Sequence, residues 1–208
     1  MDDFDVLPLH RNKHFTKQCC DLINSEWPRS ETARLYSLEN SCDTLPTSLV
    51  LVKNDGNNCK TVIGHLKLTP IPSMPDSVFV ETVVIKTNQR GLGLGKHLMY
   101  KSEEYIKTLG LKTVYLSTID KKEFYLKLGY VGCQSISIYG SFSSAVNKLT
   151  TNIPPPPSKK QYMKKKLIPK IKINVRYQNC QSSLKTIARS LRNRRLLDRT
   201  RDRLNKKN

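Results

Sequence analysis

The chain has 208 residues, 38% of them hydrophobic, and its 36 Lys/Arg against 17 Asp/Glu give a formal charge of +19. That length suits one domain with its own core, and no apolar run approaches the roughly 20 residues of a membrane span, so no membrane partner is expected. Residues 1–158 carry 18 basic and 15 acidic side chains and residues 159–208 carry 18 and 2, so nucleic acid is an expected partner only through the basic segment 169–208.

Val6 to Leu9 suits an edge strand, after which Cys19, Cys20, Leu22, Ile23 and Trp27 recur near helical spacing until Pro28. Ser30 opens S-E-T-A-R-L-Y-S-L, a second short helix or ordered loop. Ser48–Val52 and Thr61–Leu68 read as an antiparallel pair joined by a turn at Asn54-Asp55-Gly56-Asn57. Val78–Ile85, a β-branched run, leads into Arg90-Gly-Leu-Gly-Leu-Gly95. Leu98, Met99, Tyr105, Ile106 and Leu109 then mark an amphipathic helix closed by Gly110. Thr113–Ser117 is a fifth strand, Glu123–Leu128 a short helix stopped by Gly129, and Tyr130–Tyr139 a sixth strand. Pro154–Pro157 marks a linker over 151–158. Gln161–Ile168 returns as a last strand whose lysines suit a sheet edge. A basic tail, 169–208, carries a possible helix over Ser182–Leu204.

The six cysteines are scattered, with no C-x-x-C pair, so neither a disulfide framework nor a zinc site is expected. His10 and His14 are four apart without a third ligand nearby, so no metal is expected. The acidic opening Met1–Asp5 lacks the pattern of a secretory or transit peptide, and a cytoplasmic address is the expectation.

The segment from Arg90 to Gly95 follows a strand and opens a helix. Glycines let backbone approach a ligand closely, and free amides at a helix start favour an anion, which together suit a diphosphate. The third glycine comes too early for a dinucleotide fingerprint, and the P-loop spacing and its Ser/Thr are missing. With Val80-Glu-Thr-Val-Val-Ile85 before it and Phe124-Tyr-Leu-Lys-Leu-Gly-Tyr130 after it, the glycine segment resembles the GNAT superfamily of acetyltransferases over the N-terminal three quarters of the chain.

The resemblance implies a mixed α/β fold over residues 1–150, completed by the strand at 159–168, with a central, mostly antiparallel sheet flanked by helices. It implies acetyl-CoA as cosubstrate. Val83, Val84 and Ile85 would line the pantetheine; Arg90, Gly91, Leu92, Gly93, Leu94, Gly95 and Lys96 would hold the pyrophosphate; Tyr125 would protonate the departing thiolate. Thr118, standing where the family often has Asn, is a further candidate cofactor contact, and Lys121 stands where the family often has Ala. Tyr125 may also be read as a packing residue, and Glu81 either as a general base through a water or as an exposed strand carboxylate.

Leu22-Ile-Asn-Ser-Glu-Trp-Pro-Arg-Ser30, continued by Thr32–Leu38 and joined to Val80-Glu-Thr-Val-Val, is similar to the actin N-terminal acetyltransferases, a branch of that superfamily. This implies an acidic protein N-terminus as acceptor, that of processed actin, with Arg29, Arg34, Leu35, Tyr36, Ser37 and Thr82 as its contacts. Guanidinium groups suit carboxylates through paired, charge-assisted bonds. An α-amine, with an ordinary pKa of about 8, supplies more neutral nucleophile than a lysine at about 10.4. Profilin-bound actin and a monomeric enzyme are the corresponding partner and assembly expectations. The alternatives are a lysine or small-amine acetyltransferase, and a nucleic-acid binder acting through the tail.

Overall fold

The computed structural model describes residues 3–55, 60–138 and 160–167, all within one compact unit, Met1–Pro169. In chain order the elements are β1 (Phe4–Pro8), two 3-10 turns (Leu9–Arg11 and Lys13–Phe15), α1 (Thr16–Glu26), α2 (Glu31–Glu39), β2 (Thr47–Asn54), β3 (Lys60–Pro70) and β4 (Ser77–Ile85). A 3-10 turn at Thr87–Gln89 precedes α3 (Leu94–Thr108), β5 (Thr113–Thr118), α4 (Lys122–Lys127), β6 (Val131–Cys133) and β7 (Gln161–Lys166). The seven strands form one sheet in the order β1-β2-β3-β4-β5-β7-β6. Only β4 and β5 are parallel; the other pairs are antiparallel.

At β2 both faces of the sheet are covered. On β2, Val50 and Val52 join Phe15, Cys19, Cys20 and Ile23 under α1 and α2, while Leu49 and Leu51 join Leu98, Met99 and Ile106 under α3. This two-sided burial explains why β2 reads as a continuous apolar run instead of an alternating one. α1 ends at Glu26 because Pro28 disfavours helical geometry in the residue before it. α2 starts where Ser30 Oγ accepts the Ala33 N–H at 3.5 Å, with Glu31 in its first turn.

Several expectations shift. The first strand is Phe4–Pro8, starting two residues and ending one residue before the expected Val6–Leu9, and Leu9 enters a 3-10 turn. Of the sixth strand expected over Tyr130–Tyr139, only Val131–Cys133 is strand among the described residues, because its register on β7 (Val131↔Lys164, Cys133↔Tyr162) runs out where β7 begins; Tyr139 lies outside them. The lysine-rich last strand is not an edge. It lies between β5 and β6, which is possible because Lys165 gives its charge to buried Glu103, with Nζ at 2.7 and 2.8 Å from the two carboxylate oxygens. His10 and His14, four apart in sequence, fall in separate 3-10 turns, and His10 bonds Ser41 Oγ and Asp43 Oδ1. Gly56 and Asn57 of the predicted turn, the proline linker and the basic tail lie outside the described residues. Among the described residues no helix is long and apolar enough to cross a membrane.

Candidate active site

β4 changes character at Glu81. Its parallel pairing with β5 ends at Val80↔Leu116, whereas its pairing with β3 continues to Ile85. Beyond Leu116, β5 continues against β7 through Ser117 and Thr118. The two strands therefore part, and the backbone edge of Glu81–Ile85 on the β5 side is left without a strand partner. Amide groups along such an edge need an acceptor or donor from elsewhere.

A bulge sits at the parting. Lys67↔Glu81 and His65↔Val84 are successive pairs, so Thr82 and Val83 together oppose Leu66. Thr82 has a φ of 49°, a left-handed conformation that a β-branched residue seldom adopts. The extra residue resets the alternation, and Val80, Val83 and Ile85 all pack on the α3 side although Val80 and Val83 are three apart. Beneath the bulge, buried His65 donates Nδ1–H to the Thr82 carbonyl at 3.3 Å. The donor is assigned by chemistry, since a carbonyl can only accept. Burial pushes the His65 pKa down to about 3, so the ring is neutral and the carbonyl is held without a charge beside it.

The glycine segment forms a turn between the end of β4 and α3. Gly91 and Gly93 have φ of 84° and 76°, values that favour glycine. The first bond into α3 runs from His97 N–H to the Gly93 carbonyl at 3.0 Å. The amides of residues 91–96 precede it, as the first donors of any helix do. Arg90 serves this turn from behind: Nε–H donates to the Ile85 carbonyl at 2.9 Å and Nη2 to Glu26 at 2.7 Å. Its guanidinium pins the turn to the end of β4 and to α1, instead of standing free for a phosphate. Lys96 lies over the Tyr100 ring, 5.5 Å from its centroid, and Leu92 is exposed.

α4 closes the same end of the sheet. Thr118 Oγ1 accepts the Lys121 N–H at 3.0 Å and shapes the entry to α4, so its hydroxyl has a local role. Phe124 reaches the glycine turn: a Cβ added at Gly95 would lie 3.5 Å from Phe124 Cζ and 3.9 Å from Ile85 Cγ1. Tyr125 is buried between Phe124 and Tyr130, edge-on to both at centroid distances of 5.0 and 5.8 Å. Its hydroxyl has no hydrogen-bond partner among the described residues. Burial first, and the Asp120 charge second, push Tyr125 up to about 12, so it remains a phenol at any physiological pH.

The opposite face of β4 meets α1, on which α2 packs. Arg34 is buried, and its guanidinium donates from Nε to Asn24 Oδ1 at 3.1 Å and from Nη2 to the Trp27 carbonyl at 2.8 Å. It braces α2 against the end of α1. Leu35 packs into the core on that side, Tyr36 is 69% exposed, and Arg29 is exposed, with its carbonyl accepting from Asn24 Nδ2. Lys67 stands opposite Glu81 on β3, and its ammonium donates to Ser37 Oγ at 3.0 Å. Thus Glu81 and Ser37 flank Lys67, whereas the guanidinium of Arg34 is buried on structural partners and that of Arg90, partly exposed, is engaged by Ile85 and Glu26.

A strand edge freed by a splay, a bulge at the splay, and a glycine turn with open amides match a known arrangement. The model of the acetyltransferase (GNAT) family matches residues 16–130. The chain belongs to the GNAT family. It is 40% identical over 114 residues to a mouse protein named N-alpha-acetyltransferase 80; the match covers 54% of this chain and 36% of that protein. The chain therefore spans about a third of the length of that curated relative. Among solved structures it resembles Tetrahymena GCN5 (TM-score 0.57, 16% identity, 81% of this chain and 98% of that one). It also resembles an aminoglycoside 6'-N-acetyltransferase complexed with coenzyme A (TM-score 0.53, 19% identity, 80% and 98%). At those identities the likeness is one of fold.

Within this GNAT fold, two residues escaped the sequence reading. His65 and Lys67 carry the polar positions of an otherwise apolar strand, Ile63-Gly-His-Leu-Lys-Leu68. Their spacing of two places both on one face, and that was the available signal. Their importance depends on which strand lies beside them.

Proposed function

We propose that this protein transfers the acetyl group of acetyl-CoA to the α-amine of an acidic protein N-terminus, that of processed actin being the acceptor the resemblance implies. The observation that carries the reading is the freed edge of β4 from Glu81 to Ile85 leading directly into the open amides of residues 91–96. A chain of amides running into a cluster of N–H donors suits a ligand made of an amide-bearing arm and a diphosphate. The mouse relative's name, which specifies an α-amine, supports the acceptor class.

Bound acetyl-CoA would supply the activated acyl group as a thioester. On this reading the backbone of Val83, Val84 and Ile85 aligns the pantetheine arm, and residues 91–96 hold the pyrophosphate. Glu81 on the other face takes the amine proton through a water. As the C–N bond forms and the C–S bond breaks, Tyr125 O–H delivers a proton to sulfur. Its raised pKa keeps that proton in place until it is needed.

Gly93→Ala tests the cradle. A side chain at φ of 76° costs about 1–2 kcal/mol, and any relaxation re-aims the amides that follow. The KM for acetyl-CoA is expected to rise about tenfold while peptide KM changes little, as steady-state kinetics would register.

The pH profile tests the proton inventory. kcat/KM is expected to rise through about pH 8 as the acceptor amine loses its proton. It should then stay level to about pH 10.5, because Tyr125 is pushed up to about 12. An ordinary tyrosine, ionising near about 10, would give a falling limb in that range.

The function itself is tested by mass-spectrometric acetyl transfer to two peptides, one with a free Asp-Asp-Asp N-terminus and one with a blocked N-terminus and an internal lysine. Turnover of the first alone supports the reading. Turnover of the lysine peptide alone reassigns the acceptor within the GNAT family.

A further inference from the structure

The acceptor side of β4 contains a cation whose charge has no carboxylate to meet. Lys67 is half-buried on β3, directly across from Glu81 and next to the bulge. Among the described residues its ammonium bonds the neutral hydroxyl of Ser37 at 3.0 Å and no carboxylate. The facing carboxylate of Glu81 makes no ion pair with it. A partly desolvated ammonium held by one hydroxyl keeps donors free, and an ammonium has three. The surroundings add positive charge: Lys67 and Arg34 both help to hold buried His65 neutral.

The other cations on this side are placed differently. Arg34 is buried and turned to Asn24 and the Trp27 carbonyl, and Arg29 lies exposed beyond the end of α1. An exposed cation is well solvated and discriminates weakly, whereas one partly removed from water gains more from a matching anion. The head of Lys67 is held toward α2 by its bond to Ser37 Oγ.

We propose that Lys67 is the residue that reads the carboxylate of an acidic acceptor, with Ser37 orienting its ammonium between α2 and the bulge of β4. This rests on the acetyltransferase reading above and names its selectivity device. The carboxylate would come from the first or second residue of the acceptor, because Lys67 is paired with Glu81, the residue adjoining the bulge where the acyl group would lie. Aspartate should therefore be preferred over its neutral isostere, asparagine.

The test is the ratio of kcat/KM for two peptides, one beginning Asp-Asp-Asp and one beginning Asn-Asn-Asn, for the intact protein and for Lys67→Met and Lys67→Arg. The wild type is expected to prefer the acidic peptide by about tenfold or more. Lys67→Met should bring that ratio to near unity, and Lys67→Arg should restore most of it, while calorimetry with acetyl-CoA verifies that the variants are folded. Should the methionine variant fail to bind acetyl-CoA, Lys67→Gln gives the same comparison with a polar side chain. A Lys67→Met enzyme that keeps the wild-type preference overturns the assignment and leaves the acetyltransferase reading standing. A wild type that acetylates neither peptide defeats that reading, and the assignment falls with it.

Discussion

Tyr125→Phe is expected to lower kcat about 10²- to 10³-fold, the usual worth of a positioned proton donor, with the affinity for acetyl-CoA nearly unchanged. The Tyr125 hydroxyl is dispensable to the packing. It has no hydrogen-bond partner among the described residues, so its removal orphans nothing, and the ring can keep its edge-on contacts with Phe124 and Tyr130. The unfolding free energy should accordingly change by less than about 1 kcal/mol. A drop in kcat without a drop in stability or in acetyl-CoA binding is the signature of proton delivery. An unchanged kcat would leave Tyr125 as a core aromatic and move the donor elsewhere.

The largest effect on stability is expected from Glu103→Ala. Glu103 is buried on α3, where it accepts two bonds from Lys165 of β7 and one from Tyr130 O–H at 3.1 Å. Lys165 also lies 5.5 Å from the Tyr130 ring centroid and 5.7 Å from that of Tyr100. Removing one member of a buried pair leaves the other charge uncompensated, a loss of about 3–5 kcal/mol. The lower end applies here, because the Lys165 side chain keeps 20% of its exposure and its ammonium can turn outward. Urea denaturation would measure it. Lys112→Ala supplies the contrast: its pair with Asp76 is about two-thirds exposed on both sides, and its loss should be far smaller because solvent screens the pair. Equal effects from the two variants would show that β7 does not depend on the Glu103 pair. β7 bridges β5 and β6, so loosening it would also slacken the wall that carries Tyr125.

Much of this architecture was legible in the sequence for identifiable reasons. The helical recurrence of Cys19, Cys20, Leu22 and Ile23, the β-branched run ending at Ile85, and the glycines at 91 and 93 each record a local constraint. Those constraints are a buried face, an extended strand, and a positive φ. The residues nominated for the site divide along the same line. Gly91, Gly93 and Tyr125 act through local backbone or local packing, and the structure places them at one end of the sheet, with Phe124 touching the glycine turn. Arg34 and Arg90 look like ligands for anions in the sequence because they are basic residues in suggestive segments. Their partners, Asn24 and Trp27 for one and Glu26 and Ile85 for the other, could only be learned once the helices were packed.

By itself the sequence determined the order and type of nearly all described elements, the family motif, and the amphipathic faces that would be buried, because these depend on neighbours within a few positions. The tertiary structure alone decided that β7 enters between β5 and β6, that β4 parts from β5 after Val80, and that an extra residue at Thr82 resets the strand's alternation. It also put Lys67 beside Glu81 and Ser37. Those outcomes depend on pairing between segments tens of residues apart, where a one-residue change in register moves a side chain to the other face of the sheet.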